Sequence, residues 1–156
     1  MCVATVFGLI ESSDAISLEL TPRVRSWRTS PSRRVRLCAQ HGLGFTPFSP
    51  LAGGWLTGKY RRGEPAPEDS RMTTRPEPYL GFIEDDAVWR GLDGLARLAD
   101  ERGTTPAALA LAWLLASPHV TAVIVGPRRP QQLAPAVEAP ALGEAERAEL
   151  SGLFAP

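Results

Sequence analysis

Cysteine is nearly absent from this chain: Cys2 and Cys38 are the only two, and neither has a partner at a recognisable spacing. That excludes a disulfide framework and a cysteine-built zinc site, and it predicts a reducing compartment, the cytoplasm. Histidine is as scarce. His41 and His119 stand far apart with no clustered Cys or carboxylate beside them, so no metal site is expected. Net charge is missing too, with 17 basic residues balancing 17 acidic ones. This removes the electrostatic case for nucleic acid or an anionic membrane as partner. The local exception, Arg23, Arg25, Arg28, Arg33, Arg34 and Arg36 with no acid among them, carries no nucleic-acid motif and reads as a solvated segment. No apolar run approaches the roughly 20 residues a membrane helix needs. Residues 3–10 are apolar but have no basic flank before them and no cleavage site after them, so a buried strand fits better than a signal peptide.

What is present suffices for one domain with a core: 156 residues, 44% of them hydrophobic. Residues 1–34 show little pattern. Residues 3–7 fit a strand and 16–20 alternate briefly. Residues 21–34 mix Pro, Ser and Arg without period, which predicts loop or disorder. From Val35 the pattern becomes regular. Residues 35–41 fit a short helix stopped by Gly42, and 45–48 a buried strand. Residues 60–79, rich in Pro and charge, predict a long surface loop of the kind that tends to be functional. Asp86 opens a helix with Val88, Leu92, Leu95, Leu98 and Ala99 at helical spacing, ended by Gly103. Thr105 and Pro106 restart a helix that is apolar all round over 107–116, hence buried. Residues 120–125 read as a parallel strand covered on both faces. Helices are expected from Gln131 and over 144–154. Helix, strand, helix, strand, helix is βα-unit architecture, and both strands end at glycine-bearing loops on one carboxyl face, where such folds bind ligands.

Several motifs fail on inspection. Gly53-Gly54-Trp55-Leu56-Thr57-Gly58-Lys59 matches the start of a P-loop, but Tyr60 stands where a magnesium-binding Ser or Thr is needed, and the proline-rich sequel cannot be the helix that follows. Gly42-Leu43-Gly44 precedes its strand, the wrong order for a dinucleotide fingerprint. Asp85-Asp86 suits a helix start without any catalytic role. Trp55 and Trp113 read as core or loop-packing residues. Ser49 lacks the flanking glycines of a nucleophile elbow.

Taken together, three stretches resemble the aldo-keto reductase family: Gly44-Phe45-Thr46-Pro47-Phe48-Ser49-Pro50-Leu51-Ala52-Gly53-Gly54-Trp55-Leu56-Thr57-Gly58-Lys59-Tyr60; Thr104-Thr105-Pro106-Ala107 through Ala110-Leu111-Ala112-Trp113; and Val123-Ile124-Val125-Gly126-Pro127-Arg128 with Gln132-Leu133. The resemblance covers residues from about 35 to 154. It implies the C-terminal part of an α/β (β/α)8 TIM barrel, not a complete one, since a barrel of this kind takes about 250 residues. It implies NADP(H) as cofactor and aldehyde or ketone carbonyls as substrates. Phe48 would stack on the nicotinamide; Ser49, Pro50, Leu51, Ala52 and Gly53 would line the pyrophosphate; Lys59 and Arg71 would add charge. Gly126 and Arg128 would meet the 2′-phosphate, and Gln132 the adenine side. Pro135 and Ala136 depart from the family's acid and asparagine.

The family's catalytic Asp, Tyr, Lys and His have no counterpart: no Tyr precedes Tyr60, no Lys precedes Lys59 and no His precedes His41. A truncated reductase is therefore expected, with no catalytic residue in this chain, a domain over 35–156 and an unmatched segment over 1–34. Two alternatives stand beside it: a non-catalytic NADP(H)-binding or scaffold module, and a frameshifted remnant whose aperiodic residues 1–34 are out of frame. Uncovered barrel edges predict self-association.

Overall fold

Residue type fixes the helices locally, and packing selects their faces. The computed structural model describes residues 32–77 and 79–154, so the strands expected at 3–7 and 16–20 lie outside the described residues. The first helix, α1, spans Ser32–Gln40 and begins at Ser32 rather than Val35. It lays Val35 and Cys38 against Phe45, with Val120 at the margin, as a small second core.

α3 (Asp86–Glu101) and α4 (Pro106–Leu115) carry the main core. Asp85 caps α3, its carboxylate accepting from the N–H groups of Ala87 at 2.9 Å and Val88 at 3.4 Å. Thr105 caps α4, its hydroxyl accepting from Ala108 N–H at 3.1 Å, with Pro106 opening the helix. Each cap stabilises its helix by about 1 kcal/mol. α4 is buried on every side from Ala107 to Leu114, as its unbroken apolar sequence predicts. α6 (Glu144–Gly152) closes over both helices. Its Leu150 is buried, and Trp113 donates from its indole to Ser151 Oγ at 2.9 Å, which in turn donates to the Arg147 carbonyl at 2.8 Å. Arg102, at the end of α3, pairs with Glu146 and Glu149 on α6.

The expected strands are much reduced. Among the described residues, 45–48 and 120–125 meet at a single parallel bridge, Phe48 to Ile124. Thr121 N–H donates to the Phe45 carbonyl at 2.9 Å and Ile124 N–H to the Pro47 carbonyl at 3.3 Å. Pro47 has no N–H to return, so the ladder runs one way through it and does not extend. The expectation that 120–125 is covered on both faces is corrected as well. Thr121 and Ala122 are exposed and Ile124 is 46% exposed, because no second strand flanks them among the described residues.

The helix expected from Gln131 is broken into a 3₁₀ turn, Pro130–Leu133, and a short α5, Ala134–Val137. Pro135 lacks the N–H that would bond back to Gln131, which interrupts a continuous helix, whereas Pro130 stands at the first position, where no donor is needed.

The 60–79 excursion is largely irregular, with one short helix, α2 (Arg71–Thr74), and a 3₁₀ turn after it at Leu80–Phe82. It is pinned at both ends by the buried rings of Tyr60 and Tyr79 and in the middle by buried Ser70. Arg62 also pairs with Asp86 across its base.

Candidate functional site

The parallel bridge decides where the two glycine-bearing loops go. Because Phe48 and Ile124 run in the same direction, the turn that starts at Ser49 and the loop that starts at Gly126 leave from the same end. The turn Ala52–Thr57 is a run of tight turns in which Gly53 (φ 67°) and Gly54 (φ 99°) are left-handed, a conformation glycine adopts without steric cost. Ser49 (φ 56°) and Ala52 (φ 48°) are left-handed without being glycine. Such residues persist only where their surroundings hold them.

Those surroundings are visible. Ala52 N–H donates to the Ser49 carbonyl at 2.9 Å and Gly54 N–H to the Leu51 carbonyl at 2.8 Å. Thr57 Oγ1 donates to the Gly54 carbonyl at 2.7 Å. Below the turn, Trp55 is 2% exposed and packs with Tyr60, Trp89 and Phe82 at ring separations of 4.8, 5.3 and 5.4 Å. Trp55 and Trp113 are thus core residues, as the sequence predicts. Ser49 Oγ lies 3.0 Å from the hydroxyl of Tyr79.

The side chains expected to meet a ligand divide into two groups. Pro50 and Ala52 are buried, so only their backbone can serve; Leu51 and Ser49 are half-buried. Phe48, Lys59, Arg71, Gly126, Arg128 and Gln132 are exposed. Phe48, at 39% exposure, leaves ring surface free to stack. Lys59 folds back over the turn: its ammonium lies 5.0 Å from the Tyr60 ring centroid, and a Cβ on Gly54 would come within 2.6 Å of it. The absence of that Cβ is what admits the lysine. Nothing lies within 4 Å of a Cβ built on Gly126, so no packing demands glycine there, and its backbone faces open space.

Arg128 crosses to the other loop, donating to the Asp69 carbonyl at 2.9 Å. That contact puts it beside Ser70 and Arg71. Gln132 shapes the Arg128 loop, its side-chain oxygen accepting from the N–H groups of Arg128 at 2.7 Å and Arg129 at 3.2 Å. Arg128 thereby ties the two loops together, while the exposed Phe48 ring and the Lys59 ammonium stand beside the left-handed turn; groups of these kinds suit a phosphorylated, ring-bearing ligand. Sequence reasoning missed Tyr79 and Asp69. Neither carries a motif; only the length of the excursion pointed to a role for it.

Residues 19–151 match the model of the aldo/keto reductase family, a match that begins inside the segment the sequence reading left unassigned. A probable voltage-gated potassium channel subunit beta from Arabidopsis thaliana is 44% identical over 99 residues, covering 62% of this chain and 30% of that protein. An L-glyceraldehyde 3-phosphate reductase from Escherichia coli O157:H7 is 41% identical over 102 residues, covering 64% of this chain and 29% of that protein. The match therefore takes in less than a third of either relative's length. The solved structure of a glycerol dehydrogenase from Gluconobacter oxydans superposes with a TM-score of 0.60 at 24% identity, covering 78% of this chain and 38% of that one, a likeness of fold.

Proposed function

The chain belongs to the aldo/keto reductase family, (β/α)8-barrel oxidoreductases of small-molecule carbonyls that bind nicotinamide cofactors, and from that premise we propose that residues 35–156 form the NADP(H)-binding part of such a barrel. The observation that carries this reading is the Phe48–Ile124 bridge, which sends the phosphate-suited turn and the Arg128 loop off one end. The residues fit the cofactor. Phe48 offers its ring to the nicotinamide, the Ser49–Gly53 backbone and the Lys59 ammonium take the pyrophosphate, and Arg71 adds charge. Arg128, oriented by Asp69 and standing near Gly126, takes the 2′-phosphate through its planar fork. The Gln132 oxygen is spent on its own loop, so an adenine contact falls to its amide nitrogen.

NADPH supplies the hydride when bound. Reduction of a carbonyl also needs a general acid at the oxygen. The family's Asp, Tyr, Lys and His have no counterpart in this sequence, so the chain binds and orients cofactor and by itself turns over no aldehyde or ketone. A cytoplasmic setting and self-association through the exposed Ile124 edge complete the reading. Among the described residues no helix is long and apolar enough to cross a membrane.

A second reading, a non-catalytic cofactor-binding subunit of another assembly, is favoured by the Arabidopsis relative, a probable voltage-gated potassium channel subunit beta. Titration of the chain with NADPH, followed by tryptophan fluorescence, tests the shared premise. Quenching that Lys59→Ala reduces supports cofactor binding, and an unquenched wild type sinks it. A panel of aldehydes then tests the inactive reading: NADPH consumption well above background would overturn it.

A further inference from the structure

We propose that Tyr79 is a positioning residue for the phosphate-binding turn, acting through Ser49 and Gly53 and not on the cofactor itself. The inference rests on the reading of that turn as an NADP(H) site. Tyr79 is 6% exposed and closes the 60–79 excursion. It meets the turn at two points. Its hydroxyl is 3.0 Å from Ser49 Oγ, and its ring lies so close beneath Gly53 that a Cβ there would be 2.5 Å from the ring's Cε2. Phe82 holds that ring edge-on, with centroids 5.7 Å apart.

One of the two contacts falls on a residue whose conformation needs support. Ser49 is left-handed at φ 56°, a region serine seldom occupies. The carbonyl of Ser49 anchors Ala52 N–H, so the path of the whole turn starts from this residue. Without the Tyr79 hydroxyl, Ser49 is free to turn among its staggered rotamers, and ordering it falls on the binding step. With it, the serine hydroxyl is set before any ligand arrives. Tyr79 is 30 positions away in sequence, so the order of the turn is tied to the seating of the excursion.

The test uses the full chain as wild type, Tyr79→Phe, Ser49→Ala and the double variant. Each is titrated with NADPH, melted thermally, and followed by amide hydrogen exchange without cofactor. Tyr79→Phe keeps the ring under Gly53 and removes only the hydroxyl. The expected result is a Kd for NADPH raised about five- to tenfold, the effect of one hydrogen bond, with an unchanged Tm. Exchange at the Ala52 and Gly54 amides should accelerate, and the double variant should bind no more weakly than Ser49→Ala alone. An unchanged Kd in Tyr79→Phe, or strictly additive losses in the double variant, overturns the inference while leaving the cofactor reading intact. A lowered Tm with unchanged Kd makes Tyr79 an ordinary core residue and overturns it as well. A wild-type chain that does not bind NADPH overturns the cofactor reading and this inference together.

Discussion

Arg128 donates from its guanidinium to the backbone carbonyl of Asp69 at 2.9 Å, joining loops 59 positions apart in sequence. The acceptor is a neutral carbonyl, so the bond orients the guanidinium without cancelling its charge. The remaining donors of the fork keep their full attraction for an anion. Gln132 fixes the same loop from the other side through two backbone N–H groups. A cation held in this way is aimed before a ligand binds.

Replacing Arg128 by Ala is therefore expected to weaken NADPH about tenfold or more, the scale of one charge-assisted bond, and to leave NADH almost unchanged. Arg128→Lys should recover only part of the loss, because an ammonium cannot serve Asp69 and a phosphate with one planar fork. Parallel titrations with the two cofactors decide it. Equal losses for NADPH and NADH would move Arg128 away from the 2′-phosphate.

The glycines of α3 make a stability prediction in which two effects compete. A Cβ on Gly91 would fall on the Phe154 ring and 2.9 Å from the Leu153 carbonyl oxygen, whereas one on Gly94 would meet only the movable end of the Leu153 side chain at 2.7 Å. Alanine gains up to about 1 kcal/mol over glycine in a helix, and overpacking costs about 1–3 kcal/mol. At Gly91 the obstacle includes backbone, so strain wins and Gly91→Ala should lower Tm by several degrees. Gly94→Ala should be near neutral. Thermal unfolding of both variants checks this, and equal shifts would refute the distinction.

Acid should loosen the docking of α6. The Glu146 carboxyl is held below its ordinary value of 4.5, first by the hydrogen bond from Gly143 N–H and then by Arg102. A carboxyl depressed in the folded state contributes stability above its unfolded pKa. That contribution is lost as pH falls through the folded one. Arg102 is shifted upward, chiefly by its bond to Glu149, and stays charged throughout this range. The Tm gap between wild type and Glu146→Gln is thus expected at neutral pH and should close as pH falls below the ordinary 4.5 and through the lowered folded value. Glutamine retains an acceptor for Gly143, which isolates the charge. A gap that persists at the acid end would show that the effect does not come from the Glu146 charge.

Features settled within a turn or two of chain were legible in the order of the residues. Asp85, Thr105 and Pro106 mark where α3 and α4 begin, and the apolar run of 107–114 fixes the burial of α4. Caps and helical bonds join residues three or four apart, so their signal is contiguous. The family's turn was legible for a related reason: its glycines and lysine follow one another in the chain. The remaining features depend on contacts between distant parts of the chain. Residues 45–48 and 120–125 look alike as apolar runs, yet Pro47 and the lack of a flanking strand among the described residues cut their pairing to one bridge. Tyr79 reaches Ser49, and Asp69 receives Arg128, across 30 and 59 positions. A ladder or a clasp needs a partner distant in the chain, and which residue supplies it is set by how the loops between them close.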